Sequence, residues 1–287
     1  MSTEYLKKIL AGDVPTVDDW NQHLIAFHER YGGATCSALT RMYTPSGESS
    51  YQLVARRTKE LVPDAKAILD LGCGDGLLLH KLSRLYGPGV ELVGVDLSEA
   101  EIKRASALVE HATFLCGDAR TLDLGESRFD AVVSHMVLMI AAQPNRILQT
   151  LRRALRDGGA YVALVQDLPL HSSTDVISQA ATAVLRAEFE AYAPVIPERA
   201  NLEDDAELRA LFGAAGFSNV SVEPLEIAGR FDRGDVWNFV QRLYSYGLLA
   251  TPLLERVRGA IEAAVASGTD ADGRFEITMP LKLIVAR

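Results

Sequence analysis

The sequence has few cysteines and no long apolar run. Cys36, Cys73 and Cys116 form an odd, scattered set without a CxxC pair, so neither a disulfide framework nor a zinc ribbon is predicted. No stretch approaches the roughly 18 apolar residues of a membrane span, and the first residues lack a basic segment followed by an apolar one. We therefore expect a cytoplasmic protein with no membrane partner.

An excess of positive charge is also absent. The chain has 38 acidic and 29 basic residues, which give a formal net charge of -9. Nucleic-acid phosphates would be repelled by such a surface, so we expect no nucleic-acid partner. The remaining composition, 48% hydrophobic in 287 residues, is ordinary for a globular enzyme with a large core.

The most informative stretch runs from Ala67 to Gly76, where a short apolar run breaks into alternating glycines. The run is typical of a buried strand and includes Asp70 near its end. Because glycine has no Cβ, the glycines at 72, 74 and 76 let the chain turn sharply and let a ligand approach the peptide groups. The sequence therefore predicts a ligand cradle at the start of the next helix.

The residues around the cradle narrow the choice of ligand. A dinucleotide motif G-x-G-x-x-G that starts at Gly72 would need glycine at position 77, where this chain has Leu77. The Asp70 carboxylate would repel a pyrophosphate but attract an ammonium group. A P-loop is excluded because no Gly-Lys-Ser or Gly-Lys-Thr follows the glycines. We expect a ligand with a nucleoside end and a zwitterionic amino-acid end.

The pattern of apolar runs predicts an α/β fold, with a mostly parallel Rossmann-like sheet and helices on both faces. Helices are predicted between the strands, over 16–31 with Thr16 as N-cap, and over 48–61. The predicted strands are 67–71, 91–95, 112–116, 130–134, 160–166, 219–225 and 275–285.

The segments outside the sheet are predicted to cover the site. We divide the chain into an N-terminal helical lid, 1–62, and a core, 63–287, with insertions at about 167–210 and 231–270. Ligands of open α/β sheets bind beyond the carboxyl ends of the strands, so insertions that follow strands can fold over the ligand. We expect the lid and the two insertions to form one cap.

Several motifs in this order resemble the class I S-adenosylmethionine-dependent methyltransferases. Residues 69–76 look like the first motif of that family, and Asp96 follows at the end of the second strand. Residues 117–119, Gly-Asp-Ala, follow the third strand, and residues 129–135 resemble the fourth motif. Residues 155–159 are similar to the usual segment before the fifth strand. The match is strong over about 65–165.

This resemblance implies a fold, a cofactor and roles for its residues. The sheet would have seven strands with the last antiparallel, and S-adenosylmethionine would lie over the glycine loop. Asp96 would accept hydrogen bonds from both ribose hydroxyls, Leu97 would pack on the adenine, and Asp118 would accept from its exocyclic amine. The predicted cofactor-binding residues are Asp70, Gly72, Cys73, Gly74, Asp96, Leu97, Asp118, Ala119 and Ser134.

The reaction that the resemblance implies needs in-line approach of a nucleophile, exclusion of water and, for some acceptors, a base. A sulfonium leaves as a neutral thioether, so no general acid is needed and no metal is expected. Asp167, after the fifth strand, is the one candidate magnesium ligand and has no companions. The candidate bases are His135, His171 and His28. The predicted acceptor-pocket residues are His135, Met136, Tyr31, Tyr51, Trp237 and Tyr244.

We predict a methyltransferase for a small metabolite or natural product, with the methylated atom left open. The sequence lacks the Asn-Pro-Pro-Tyr and Asp-Pro-Pro-Tyr tetrapeptides of nucleic-acid amino methyltransferases. Two alternatives stay open. One is a protein methyltransferase, and the other is a cofactor-binding protein that transfers no methyl group and instead assists a rearrangement or cyclisation. A homodimer is left open as well.

Overall fold

The computed structural model describes residues 3–167 and 173–287, without the side chain at 174. Its centre is a seven-stranded sheet in the order β3-β2-β1-β4-β5-β7-β6. Strand β7 runs antiparallel to both β5 and β6, and the pairs among β1 to β5 are parallel. The predicted fold class is confirmed. The strands are β1 (Ala67–Leu71), β2 (Glu91–Asp96), β3 (Thr113–Cys116), β4 (Phe129–His135), β5 (Leu155–Gln166), β6 (Ser221–Asp232) and β7 (Arg274–Ala286).

The strands β1 to β4 match the predicted bounds within one residue, whereas β5 and β6 are longer than predicted. β6 continues to Asp232 because β7 pairs with it along its whole length, from Ser221 opposite Val285 to Asp232 opposite Arg274. This pairing partner lies about fifty residues away in the sequence, so local patterning in 226–232 did not reveal it.

Helix α2 begins at the predicted capping residue. At α2, the Thr16 side chain accepts from the Asp19 N–H and the Asp19 carboxylate accepts from the Thr16 N–H, which confirms the predicted N-cap. None of the helices in the described ranges is both long and apolar enough to cross a bilayer. The helices are α1 (Glu4–Ala11), α2 (Val17–Arg30), α3 (Ala34–Leu39), α4 (Ser50–Leu61), α5 (Leu77–Tyr86), α6 (Glu99–Leu108), α7 (Pro144–Ala154), α8 (Ser173–Glu188), α9 (Asp205–Ala214), α10 (Arg233–Val240) and α11 (Thr251–Ala266).

Both faces of the sheet are buried. Side chains on a strand alternate between its two faces, and in β4 Ala131 and Val133 join one apolar cluster while Val132, between them, joins the other. Continuous apolar runs such as 160–165 result, as expected for strands covered on both sides. The chemistry is therefore confined to the ends of the strands.

The N-terminal segment does not form one lid over residues 1–62, and this expectation is corrected. Helix α4 packs against α5 and against β4 and β5, so it belongs to the layer that covers the sheet. Its Val54 and Thr58 are fully buried. Helices α1 and α2 pack on each other, and α2 also packs on α6. Helix α11 packs on α8 and α10, which joins the two predicted insertions.

Three contacts hold α2 and the start of α3 over the carboxyl edge of the sheet. The Trp20 indole N–H donates to the Ile140 carbonyl at 2.8 Å. His23 is fully buried, with Nε2 2.8 Å from the Tyr244 carbonyl oxygen. The Glu101 carboxylate on α6 accepts from the Gly33 N–H at 2.8 Å and lies 3.0 Å from His28 Nδ1. We call the segment 17–39 the roof.

The burial of His23 makes stability depend on pH. Burial lowers its pKa from 6.5 to about 4, although the hydrogen bond to the Tyr244 carbonyl raises it in part. Above pH 6.5 neither state is protonated, and as the pH falls towards 4 only the unfolded state takes up the proton. The protonation of His23 in the unfolded state should therefore lower the free energy of unfolding by roughly 3 kcal/mol between pH 6.5 and pH 4.

The variant His23→Gln should be less stable at pH 7 but should lose less stability between pH 6.5 and 4, as measured by urea unfolding. His111→Gln is the matched control because His111 is exposed. If both variants keep the wild-type pH dependence, His23 is not the buried group that we describe.

The Glu101 contacts should hold the roof closed. In Glu101→Ala, the one oxygen that accepts from the Gly33 N–H and contacts His28 is lost, so amide hydrogens in 28–36 should exchange about tenfold faster or more in hydrogen-exchange mass spectrometry. Amides of β1 and β4 should be unaffected. Glu99→Ala, at an exposed position of the same helix, is the control, and equal exchange in the two variants would contradict the anchoring role.

Candidate active site

Two neighbouring cavities lie at the carboxyl edge of the sheet. The first, which we call the glycine-loop cavity, is bounded by residues 70–75, 95–98, 117–120 and 135–137, with the roof above it. It holds about 1130 Å³ of space, its mouth included. Its lining is mostly apolar with a few convergent polar groups, as in small-molecule sites.

The second cavity, which we call the cap cavity, lies beside it. Its walls come from α1 to α3, α8, residues 194–199 and residues 239–246, with Gln166 at the end of β5. It holds about 1850 Å³, its mouth included. The two cavities share one wall, which we call the shared wall. Its residues are Ala34, Thr35, Met136, Ile140 and Tyr244.

The glycine loop turns in the left-handed conformation that its sequence predicts. Gly72 has φ +64°, and a Cβ there would lie 2.4 Å from Val137 Cγ2. A side chain at 72 would therefore be strained by the backbone and would clash with a stiff β-branched neighbour. The Cys73 N–H donates to the Val95 carbonyl at 3.0 Å, which ties the loop to β2. The loop backbone thus lines the cavity.

Asp70 places a buried carboxylate beneath this loop. Its side chain is 1% exposed, and neither oxygen has a hydrogen-bond partner within 3–167 or 173–287. Burial raises its pKa well above the usual range, and the charges of Asp96 and Asp75 raise it further. An unpaired buried carboxylate is costly, whereas a cationic ligand group would supply a partner. Asp70 therefore fits the predicted ammonium group.

Asp96 is oriented by the backbone on both sides. One oxygen accepts from the Gly74 N–H at 2.9 Å and the other accepts from the Ser98 N–H at 2.9 Å. Each carboxylate oxygen can accept two hydrogen bonds, so each keeps capacity for a ligand hydroxyl. Cys73, Leu97 and Ala119 line the same cavity.

Asp118 also lines the glycine-loop cavity, but protein groups already contact its carboxylate. Arg120 Nε lies 2.9 Å from both oxygens, and the Asn21 amide donates to one of them at 3.0 Å. Although burial raises its pKa, the hydrogen bonds from Arg120 lower it below the usual value. Arg120 and Asn21 could not be predicted from the sequence. No local pattern distinguishes an arginine that pairs with the aspartate two residues before it, or an asparagine that reaches the site from the roof.

Ser134 does not reach the cavity, and its prediction as a cofactor-binding residue is corrected. It is fully buried at the end of β4, with its hydroxyl oxygen 2.8 Å from the Tyr161 hydroxyl oxygen. Alternation along β4 directs Ser134 to the sheet face opposite His135, which does line the cavity.

His135 is a buried neutral imidazole. Its ring stacks on Tyr51 with centroids 3.8 Å apart, its Nε2 lies 2.9 Å from the Ser50 hydroxyl, and its Nδ1 has no partner in the described parts of the chain. Burial lowers its pKa to about 3. So weak a base binds a proton poorly at neutral pH, so the stack with Tyr51 favours a role in shape or hydrogen bonding.

The other two candidate bases have different surroundings. His28 lines the glycine-loop cavity, but its Nδ1 contacts Glu101. His171 falls outside the described residues. Glu101, 1% exposed, was not identified from the sequence because an acid in the first turn of a helix usually faces solvent.

The predicted pocket aromatics divide between the site and the core. Tyr244 and Met136 form part of the shared wall, and Tyr51 lines the glycine-loop cavity. Tyr31 and Trp237 line neither cavity, which corrects their assignment. Tyr31 packs on Phe27 and donates to the Gly247 carbonyl, whereas Trp237 is buried in α10 among core residues. The helical periodicity showed which aromatic residues are buried. It could not show whether a buried aromatic packs in the core or lines a cavity.

Two further features bear on the reaction. Met136 has φ +63°, an uncommon value for a residue other than glycine, and such strain often occurs at functional sites. The Asp167 carboxylate lies 3.0 Å from Lys282 Nζ, so a protein cation already contacts the one carboxylate considered as a magnesium ligand.

Comparison with known proteins agrees with this site. A methyltransferase-domain family model matches residues 68–159. The chain is 31% identical over 176 residues to an uncharacterized methyltransferase from Synechocystis sp., a match that covers 61% of the chain and 76% of the relative. It is 28% identical over 182 residues to demethylmenaquinone methyltransferase from Staphylococcus saprophyticus, with 58% and 77% covered. A third relative, an uncharacterized 37.1 kDa protein from Streptomyces fradiae, is longer, and the match covers 37% of its length.

A solved structure extends the likeness to the fold of the whole chain. The [4+2]-cyclase SpnF superposes with a TM-score of 0.56 over 96% of this chain and 97% of the cyclase, at 18% sequence identity. At that identity the likeness shows the fold alone. The family assignment depends instead on the sequence matches across the glycine loop and the strands that surround it. The chain belongs to the class I S-adenosylmethionine-dependent methyltransferases, and S-adenosylmethionine is its cofactor.

Proposed function

We propose that this enzyme methylates a small-molecule acceptor that binds in the cap cavity. The observation that carries the proposal is the shared wall, where the cavity over the glycine loop meets a larger apolar cavity. Because the two cavities share these lining residues, a cofactor in one and an acceptor in the other would meet beside Met136 and Tyr244. Such positioning is the main requirement of an in-line displacement.

The residues of the glycine-loop cavity fit the cofactor. Asp70 would hold its ammonium group, Asp96 its ribose hydroxyls, and the backbone of residues 72–74 would lie against its methionine part. When bound, the cofactor supplies a methyl group on a sulfonium, and the electrons of the breaking C–S bond stay on sulfur while the lone pair of the acceptor bonds to the methyl carbon. In this proposal Asp118, already paired with Arg120 and Asn21, would orient the adenine end.

The roof would exclude water from the reaction. Its helices α2 and α3 line the glycine-loop cavity and are anchored to the rest of the chain through Trp20, His23 and Glu101. A dry site favours displacement on a sulfonium because water would otherwise compete as the acceptor.

The cap cavity is walled by several separate parts of the chain, which favours a small acceptor over a protein side chain, since a protein side chain would need an open groove. One relative is named for methylation of demethylmenaquinone, a small molecule, which gives the proposal further support. We extend the proposal to a metabolite or natural product in the cytoplasm. Whether the chain forms a homodimer stays a prediction.

Cofactor binding is tested by calorimetric titration with S-adenosylhomocysteine. Asp96→Ala removes an acceptor for both ribose hydroxyls, so its dissociation constant should rise about 100-fold or more. Asp64→Ala changes an exposed aspartate outside both cavities and should bind as the wild type does. Equal affinity in the two variants would contradict the site, and circular dichroism of each variant checks that it is folded.

Methyl transfer is tested with S-adenosylmethionine that carries an isotopic label on its methyl group. Incubation with a panel of apolar metabolites should label an acceptor with wild-type protein, at a rate at least tenfold higher than with Asp96→Ala at the same cofactor concentration. Cofactor binding without transfer to any acceptor would favour the alternative of a cofactor-assisted rearrangement or cyclisation. Labelling of added proteins alone would favour the protein methyltransferase.

A further inference from the structure

We propose that the acceptor carries an anionic group, such as a carboxylate, and that Arg242 binds that group in the cap cavity. This inference rests on the proposed function, since it names the class of molecule that the cap cavity would hold. It is carried by the charges of the cavity wall, by the free capacity of one arginine and by the apolar surface around it.

The charges on the cap cavity are all of one sign. Arg199 and Arg242 line it, and no aspartate or glutamate does so among the residues that the structure describes. The sign of the charge on this wall is opposite to that of the whole chain, in which acidic residues exceed basic ones by 9. It also differs from the glycine-loop cavity, which Asp70, Asp75 and Asp96 line. A cationic acceptor would meet no described counter-charge in the cap cavity.

Arg242 has hydrogen-bonding capacity that the protein does not use. One of its N–H groups donates to the Ser37 hydroxyl at 2.6 Å, and no carboxylate of 3–167 or 173–287 lies within 4.0 Å of its guanidinium. The side chain is half-buried. A guanidinium has five donors in a planar fork that matches a carboxylate, so Arg242 can still bind an anion with two parallel hydrogen bonds.

Arg199 differs from Arg242 in this respect. It lies 2.9 Å from the Glu203 carboxylate and is exposed. Glu203 offsets part of its charge, and at an exposed position water and salt screen its attraction for an anion. The contrast assigns recognition of the anion to Arg242.

The rest of the wall suits an apolar body. Phe239, Leu243 and Tyr246 adjoin Arg242 in sequence, and Ile177, Met139 and Met279 face them from other elements. An apolar molecule with one anionic group would bury its body against these side chains and place its charge at the guanidinium. Neutral and amine analogues of such a molecule would bind more weakly, because they lack the group that pairs with the guanidinium.

The test uses two fluorescent probes that differ in one charge. The first is 1-anilinonaphthalene-8-sulfonate, and the second is N-phenyl-1-naphthylamine, the same ring system without the sulfonate. Both are titrated into the full chain in the presence of saturating S-adenosylhomocysteine. In Arg242→Met, the dissociation constant of the sulfonate should rise about tenfold or more, whereas that of the neutral probe should change less than about twofold.

Two further variants separate charge recognition from packing. Arg242→Lys keeps the positive charge and should recover part of the sulfonate affinity, while Arg146→Met removes an exposed arginine outside both cavities and should change neither affinity. Unchanged sulfonate binding in Arg242→Met would overturn the proposal. Equal weakening of both probes would overturn it as well, because it would assign Arg242 a packing role.

The outcome is independent of methyl transfer. Binding of S-adenosylhomocysteine and labelling of an acceptor are measured separately, so a protein that binds the anionic probe through Arg242 but labels no acceptor contradicts the proposed function and leaves the anion site intact. A protein that labels only amines or neutral acceptors, with rates that Arg242→Met does not change, contradicts the anion site and leaves methyl transfer intact.

Discussion

The buried carboxylate of Asp70 is the constraint around which the site is arranged. It is the penultimate residue of strand β1, which lies between β2 and β4. It is almost completely buried and has no hydrogen-bond partner in the described protein. Asp96 and Asp75 lie close enough to raise its pKa further. A fold does not retain such a concentration of acid at its centre for stability, because each charge increases the cost of the others. A cationic ligand relieves all of them together, and a sulfonium with an ammonium group is such a ligand.

The roof follows from the same arrangement. Glu101, on the helix after Asp96, is as buried as Asp70, but one of its oxygens accepts from the Gly33 N–H and lies within hydrogen-bond distance of His28. Its other oxygen has no hydrogen-bond partner in the described protein. Removing a buried carboxylate from its donors is costly, so this contact favours the closed position of α2 and α3. The acidic residues around the cofactor thus have two uses. Some are left for the ligand, and one holds the roof that covers it.

Features that depend on neighbouring residues could be predicted from the sequence, whereas features that depend on contacts between distant residues could not. The glycine loop, Asp96 and the strands β1 to β4 are local patterns, and they appear at the predicted positions. Helix α4 was assigned to the lid because its amphipathic pattern says that one face is buried but not against what. The prediction that Trp237 lines the acceptor pocket was wrong for the same reason. Arg242 and Glu101 were not predicted as site residues, because their roles depend on which distant residues contact them and which do not.

The side chains at the shared wall limit what the acceptor can be. Thr35 and Tyr244 supply the only hydroxyls there among the described residues, and burial raises the pKa of Tyr244 to about 12, so its hydroxyl stays protonated near neutral pH. A hydroxyl in that state donates a hydrogen bond but does not remove a proton. His135, with its pKa near 3, is no stronger as a base. An acceptor whose attacking atom already carries a free lone pair at neutral pH needs no such base, so the side chains of the shared wall favour acceptors of that kind.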